Sequence, residues 1–146
     1  MQLRIDLHSP EPLFEQIAFA VKDAVARGDL QGGDRLPSVR ELAQDLSINP
    51  NTVVRAYDLL TRDGVVVRRQ GAGCFVTGKT SSLNVQTRRR QLGDLVQRTV
   101  TETFHLGFSP DEVRAAFEES LAALRPQQPV SPEESRHPKQ STEEQS

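Results

Sequence analysis

The chain has 146 residues, 36% hydrophobic and 5% aromatic, with a formal net charge of −2, which gives room for one or two small domains with modest cores. No run approaches the roughly 18 apolar residues of a membrane span, and Met1 to Pro10 carries Arg4, Asp6 and His8 where a signal peptide would have an apolar core. The expected protein is therefore cytoplasmic, with no membrane partner; its single cysteine, Cys74, excludes an intrachain disulfide, and no Cys/His cluster has zinc-ligand spacing, so neither a metal nor a cofactor is expected.

In chain order, the first helix is expected from about Pro12 to Arg27, where Phe14, Ile17, Ala18, Val21, Ala24 and Val25 form one apolar stripe. Gly28 to Asp34 is a glycine-rich loop with no G-K-[ST] after it, and it reads as turns needing positive φ rather than a phosphate cradle. Pro37 suits a first helical position, and Val39, Leu42, Ala43 and Leu46 follow at helical spacing, predicting a helix of about ten residues. Ser47-Ile48-Asn49-Pro50 is a short polar link, with Asn49 placed to cap the next helix. On that helix, at about 100° per residue, Val53, Ala56, Tyr57 and Leu60 fall on one side and Asn51, Arg55 and Arg62 on the other. Gly64 ends it. The β-branched run Val65 to Val67, a glycine-bearing turn from Arg68 to Gly73 and the run Phe75 to Thr77 then predict a two-stranded basic hairpin, with Cys74 packing as a strand residue.

Two short helices meeting at a tight link, followed by a hairpin, read as a winged helix-turn-helix, and the polar face of the second helix reads as a DNA surface. Asn51, Thr52 and Arg55 are the candidates for base edges or nearby phosphates, since Asn pairs bidentately with adenine and Arg with guanine. The acidic net charge is no obstacle once its distribution is considered. From Gly64 to Arg90 there are six cations, Arg68, Arg69, Lys79, Arg88, Arg89 and Arg90, and no Asp or Glu, a local balance of +6. Such a basic stripe supplies sequence-independent phosphate affinity, with Arg68 and Arg69 as its wing members.

The stretches P-L-F-E-Q-I (Pro12 to Ile17), G-D-L-Q-G-G-D-R-L-P-S-V-R-E-L-A (Gly28 to Ala43), N-T-V-V-R-A-Y (Asn51 to Tyr57) and D-G-V…G-A-G-C-F-V (Asp63 to Val76) together resemble the winged-helix domain of GntR-family bacterial transcription regulators. The resemblance implies a DNA contact for Arg40. It implies further contacts at the positions of Asn49 and Pro50, where Pro50 has no donor to offer, and contacts to the minor groove or backbone from Gln70 and Gly71 at the wing tip.

After the linker Lys79 to Ser82, helical spacing resumes near Leu83, and Leu92, Leu95, Val96, Val100 and Phe104 form a stripe that stops at Gly107. Ser109-Pro110-Asp111-Glu112 is a helix start, with Ser109 and Glu112 at capping-box spacing, and Val113, Ala116, Phe117, Leu121 and Leu124 form the apolar face that follows. Two helices of this size cannot bury a private core, because units below roughly 40 residues need a partner or a staple. Leu92, Leu95, Val96, Val100, Phe104, Val113, Phe117 and Leu121 are therefore the candidate interface of a symmetric homodimer; the competing arrangement folds the hairpin back on its own winged helix.

From Pro126 onward Pro, Gln, Ser and Glu dominate, which predicts a disordered tail. The expected organisation is thus mainly α with a small β-wing: a DNA-binding domain at 11–79, a two-helix region at 80–125 and a tail at 126–146. A winged helix with so short a C-terminal region is similar to the YtrA-type branch of the family, and this implies a repressor of its own operon together with a neighbouring transporter. The competing function is a sensor in which an unidentified small molecule binds between the C-terminal helices and releases DNA. His8, His105 and His137 are scattered, and no Ser/His/Asp or paired-carboxylate arrangement stands apart from surface charge, so the chain is not expected to be an enzyme.

Overall fold

The computed structural model describes residues 2–78 and 85–124. The linker around Lys79 to Ser82, the helix start near Leu83 and the tail from Pro126 lie outside the described residues. Three helices, α1 (Leu13–Arg27), α2 (Val39–Leu46) and α3 (Pro50–Arg62), precede a hairpin of β1 (Val66–Arg69) and β2 (Gly73–Val76), and two further helices follow, α4 (Val85–His105) and α5 (Pro110–Ala122). This is the predicted winged helix-turn-helix, followed by two helices that bury no residue of their own.

One core holds the first five elements together. Ile17, Ala18 and Val21 of α1, Leu42 and Ala43 of α2, and Val53, Ala56, Tyr57 and Leu60 of α3 are buried with Leu36, Val66 and Val76. The 3.6-residue stripes thus converge, and each helix keeps its polar side outward. The packed unit begins before Glu11, because Leu3 and Ile5 pack against this core. Gln16, buried on α1, ties that arm down: its amide accepts from the Asp6 backbone N–H at 2.9 Å and donates to the Asp6 and Glu11 carbonyls at 3.0 and 2.9 Å.

Two local expectations are corrected. Pro37 is not the first residue of α2. Ser38 caps α2, accepting from the Glu41 N–H while Glu41 accepts from the Ser38 N–H, so the helix starts at Val39 and runs eight residues. Pro37 instead presents its carbonyl to the Tyr57 hydroxyl, which donates at 2.6 Å and so clamps α3 to the start of α2. Nor do Arg68 and Arg69 lie in the wing turn. They are strand residues paired with Cys74 and Gly73, and the turn is shorter, closed by the Ala72 N–H on the Arg69 carbonyl at 3.0 Å. Ladder pairing extends the strands until the glycines at 71 and 73, both at positive φ, reverse the chain.

The glycine-rich loop does more than turn. Its end adds a third edge to the hairpin: the Gly33 and Leu36 N–H groups donate to Val76 and Cys74, and Val76 donates back to Asp34, each at 2.8 Å. A Cβ on Gly32 would come within 3.0 Å of the Gly78 Cα, so a bare backbone is needed where this edge meets the chain leaving β2.

α4 and α5 differ from the rest. No residue of either is buried. Leu92 (61% exposed), Leu95 (64%), Phe104 (74%) and Leu121 (57%) stand in solvent, so the winged helix does not cover them. Gly107 breaks the chain between the two helices, and α5 opens with the Ser109–Glu112 capping box at the predicted place. Among the described residues no helix is long and apolar enough to cross a membrane.

Candidate nucleic-acid interface

Helix α3 is the scaffold of the site. The Asn49 carboxamide accepts from the Asn51 N–H at 2.9 Å and starts the helix, with Pro50 in its first turn. Because the opposite side is held in the core, Asn51, Arg55, Asp58 and Arg62 form one exposed row, and Thr52 sits half-buried at its edge. The clamp by Tyr57 fixes the rotation of that row. Its hydroxyl is kept protonated chiefly by burial, which pushes it far above the ordinary tyrosine range.

Of the predicted cations, Arg55 lies on α3 and Arg68 reaches it through Asp58, whereas Arg88, Arg89 and Arg90 lie on α4 and Lys79 is outside the described residues; several of those near α3 have partners. The Arg55 guanidinium lies over the Phe14 ring, 4.1 Å from its centre, stacking the recognition helix on α1. Arg68 forms an ion pair with Asp58, linking the wing to α3, and this hydrogen bond holds the guanidinium above its ordinary pKa. Arg69, on the other face of β1, lies 4.7 Å over the Phe75 ring. Gln70 and Gly71 form the exposed wing tip, and Arg40 is exposed on the first turn of α2. Cys74 is a half-buried strand residue opposite Arg68.

Two members of this surface escaped the sequence analysis. Arg35 bridges to Phe75, and its Nε lies 3.1 Å from where a Gly73 Cβ would be, so a third cation borders the wing opposite Arg69. The signal for it was Gly73 itself, a strand glycine over which another group passes closely. Asp58 was the other. One turn beyond Arg55, it was legible as an exposed acid on the reading face, but its partner ten residues away was not.

The second surface is apolar. Val96, Val100, Phe104, Val113 and Phe117 line a cleft of about 620 Å³ between α4 and α5. Leu92 and Leu95 lie on α4 outside it.

Comparison with known proteins assigns this architecture. Residues 13–76 match the model of the bacterial regulatory proteins, gntR family. A solved structure, YtrA from Sulfolobus acidocaldarius, described as a GntR-family transcription factor, is 34% identical and superposes with a TM-score of 0.56 over 68% of this chain and 97% of that one. The chain belongs to the GntR family. It is of the YtrA type: the HTH-type transcriptional repressor YtrA of Bacillus subtilis (strain 168) is 28% identical over 84% of this chain and 95% of its own length. A Listeria monocytogenes EGD-e protein described as a transcriptional antiterminator superposes with a TM-score of 0.72 at 30% identity, over 82% of this chain and 89% of that one. This GntR-family protein is therefore a DNA-binding transcription regulator and not an enzyme.

Proposed function

We propose that this regulator is a homodimeric repressor that binds an inverted-repeat operator, its own operon with a neighbouring transporter being the first target to test. The observation that carries the dimer is the state of α4 and α5, two helices with no buried residue and with large apolar side chains along both. A second copy of the same helices covers both stripes at once and leaves two winged helices related by a two-fold axis.

In this reading α3 of each subunit enters a major groove, with Asn51, Thr52 and Arg55 toward base edges. Arg40 and Arg69 meet phosphate, Arg68 docks the wing on α3 through Asp58, and Asn49 serves the helix cap first. The wing tip, Gln70 and Gly71, lies along the adjacent backbone. Repression is supported by the name of the Bacillus subtilis relative. Selection of bound duplexes from a random pool, with light scattering on the same protein, tests the whole reading. Inverted half-sites about one helical turn apart, or a multiple of it, and a two-subunit mass are the expected results. A single asymmetric site bound by one subunit refutes it.

The cleft between α4 and α5 favours one addition, an effector that modulates DNA binding. Its volume, about 620 Å³, lies within the range of small-molecule pockets, roughly 300–1,000 Å³, and Val96, Val100, Phe104, Val113 and Phe117 belong to both the cleft and the proposed interface, so an apolar ligand there would compete with the second subunit. Thermal shift against a metabolite panel, compared between the native protein and Val100→Trp, tests this: a stabilising ligand should lose its effect when the cleft is filled.

A further inference from the structure

The reading face of α3 carries an acid where phosphate affinity alone would favour a base. Asp58 lies in the exposed row with Asn51, Arg55 and Arg62, and its carboxylate holds the guanidinium of Arg68. Arg68 shares the inner face of the hairpin with Val66, which is buried in the core, because β1 alternates and Val66 pairs with Val76 as Arg68 pairs with Cys74. The ion pair therefore lies between the hairpin and the recognition helix. It continues outward the apolar contact that already docks the wing on α3.

Non-specific binding is driven by release of counterions from phosphate, in proportion to the number of cations that reach the backbone. A wing arginine with no partner would add to that term on any duplex. Arg68 paired with Asp58 adds little to it, and the pair also makes the wing and the base-reading row move as one body. Only a duplex whose groove and flanking backbone fit both together then gains the full set of contacts.

We propose that Asp58 is a specificity-determining positioning residue: it withholds the charge of Arg68 from random phosphate and keeps the wing in register with α3. This rests on the reading that α3 and the wing face DNA. Asp58→Asn frees one arginine per subunit. With a slope of about 0.9 per phosphate contact, a dimer gains about 1.8 in the salt dependence of binding to random-sequence duplex, so affinity falls roughly 12-fold more than the native protein's across a fourfold rise in salt.

The experiment is a double-mutant cycle on the full chain, with Asp58→Asn, Arg68→Gln and both together. Each protein is titrated with a random-sequence duplex and with the selected operator at several salt concentrations. The expected result is a steeper slope and tighter low-salt binding of random duplex for Asp58→Asn, a reduced preference for operator, and no such change when Arg68→Gln is already present. If Asp58→Asn acts equally in both backgrounds, its effect is bulk charge and the proposal is overturned. If it changes neither slope nor preference while Arg69→Ala still flattens the slope, the wing does contact DNA and the proposal alone fails. A flat slope for every variant overturns the DNA-facing reading as well.

A second readout needs no DNA. Cys74, the chain's single cysteine, sits half-buried opposite Arg68, so its labelling by an aromatic disulfide reagent reports wing docking. Asp58→Asn should accelerate labelling several-fold, and an unchanged rate overturns the docking half of the proposal.

Discussion

Replacing Leu95 with Glu tests the proposed dimer without disturbing the winged helix. Leu95 is 64% exposed on α4 and does not line the cleft beside α5, so the change leaves that cleft's lining intact. Glu is as good a helix former as Leu, so α4 itself should persist. Complete burial of a leucine side chain stabilises by about 1.5–3 kcal/mol; covering the exposed two-thirds contributes roughly 1–2 kcal/mol per subunit. Two-fold symmetry doubles this to roughly 2–4 kcal/mol per dimer, before any cost of bringing two carboxylates toward an apolar seam. That corresponds to a rise of roughly 30- to 700-fold in the dimer dissociation constant. Sedimentation equilibrium over a wide concentration range measures it, and a band shift on the inverted repeat should weaken in parallel as the linked second contact is lost. Circular dichroism should show unchanged helix content. If Leu95→Glu self-associates as strongly as the native protein, Leu95 lies outside the interface, and the assignment of the α4 stripe is wrong.

Other substitutions test the winged helix. Tyr57→Phe leaves the Pro37 carbonyl without its donor at a part-buried site and should destabilise the domain by about 1–3 kcal/mol in urea unfolding; no loss would mean that the clamp is dispensable. Asn51→Ala and Arg55→Ala should each weaken operator binding by about 1–3 kcal/mol with little loss on random duplex, whereas equal losses on both would restrict them to backbone contacts. The Glu112 carboxyl is held below its ordinary range, chiefly by the Ser109 backbone N–H, so the stability it gives is complete above the usual carboxylate pKa and is lost as pH falls below about 4. Glu112→Gln keeps the capping geometry without that titrating group, so amide exchange at the start of α5 should lose part of its sensitivity to pH below about 4, the rest belonging to Asp111 of the same turn and to the intrinsic chemistry; an unchanged sensitivity would place its origin away from the cap.

What could be read from the sequence is what a single element decides within itself. Val53, Ala56, Tyr57 and Leu60 are buried as their spacing predicts, and Ser109 with Glu112 caps α5, because each of these relations spans only a few residues along one helix. Pairings between elements were not legible. The loop at 33–36 joins β2 some forty residues away, and nothing in Asp34-Arg35-Leu36 distinguishes an added sheet edge from a turn until the partner strand is present. Placing Pro37 at the helix start failed because two good start signals stood side by side. The capping box of Ser38 and Glu41 satisfies two orphan donors, whereas a proline at the first position only avoids one. The arginine pair was assigned to the wing turn by composition, and the strand ladder, which only the register with Gly73 and Cys74 defines, places it on β1.

Sequence chemistry offers Asn49, Arg55, Arg68 and Arg69 as free hands for DNA, yet each already has a partner within the fold: the Asn51 N–H, the Phe14 ring, the Asp58 carboxylate and the Phe75 ring. An arginine resting on an aromatic face or a carboxylate has surrendered part of its rotamer freedom before any duplex arrives, so less ordering, about 0.5–1.5 kcal/mol per side chain, remains to oppose binding. The aromatic partners do not compete with phosphate, since a stacked guanidinium keeps its edge donors; Arg55 and Arg69 are oriented without being neutralised. Asp58 does compete. In the proposed interface Arg68, and Arg62 beside Asp63, are cations whose charge a carboxylate holds back from phosphate.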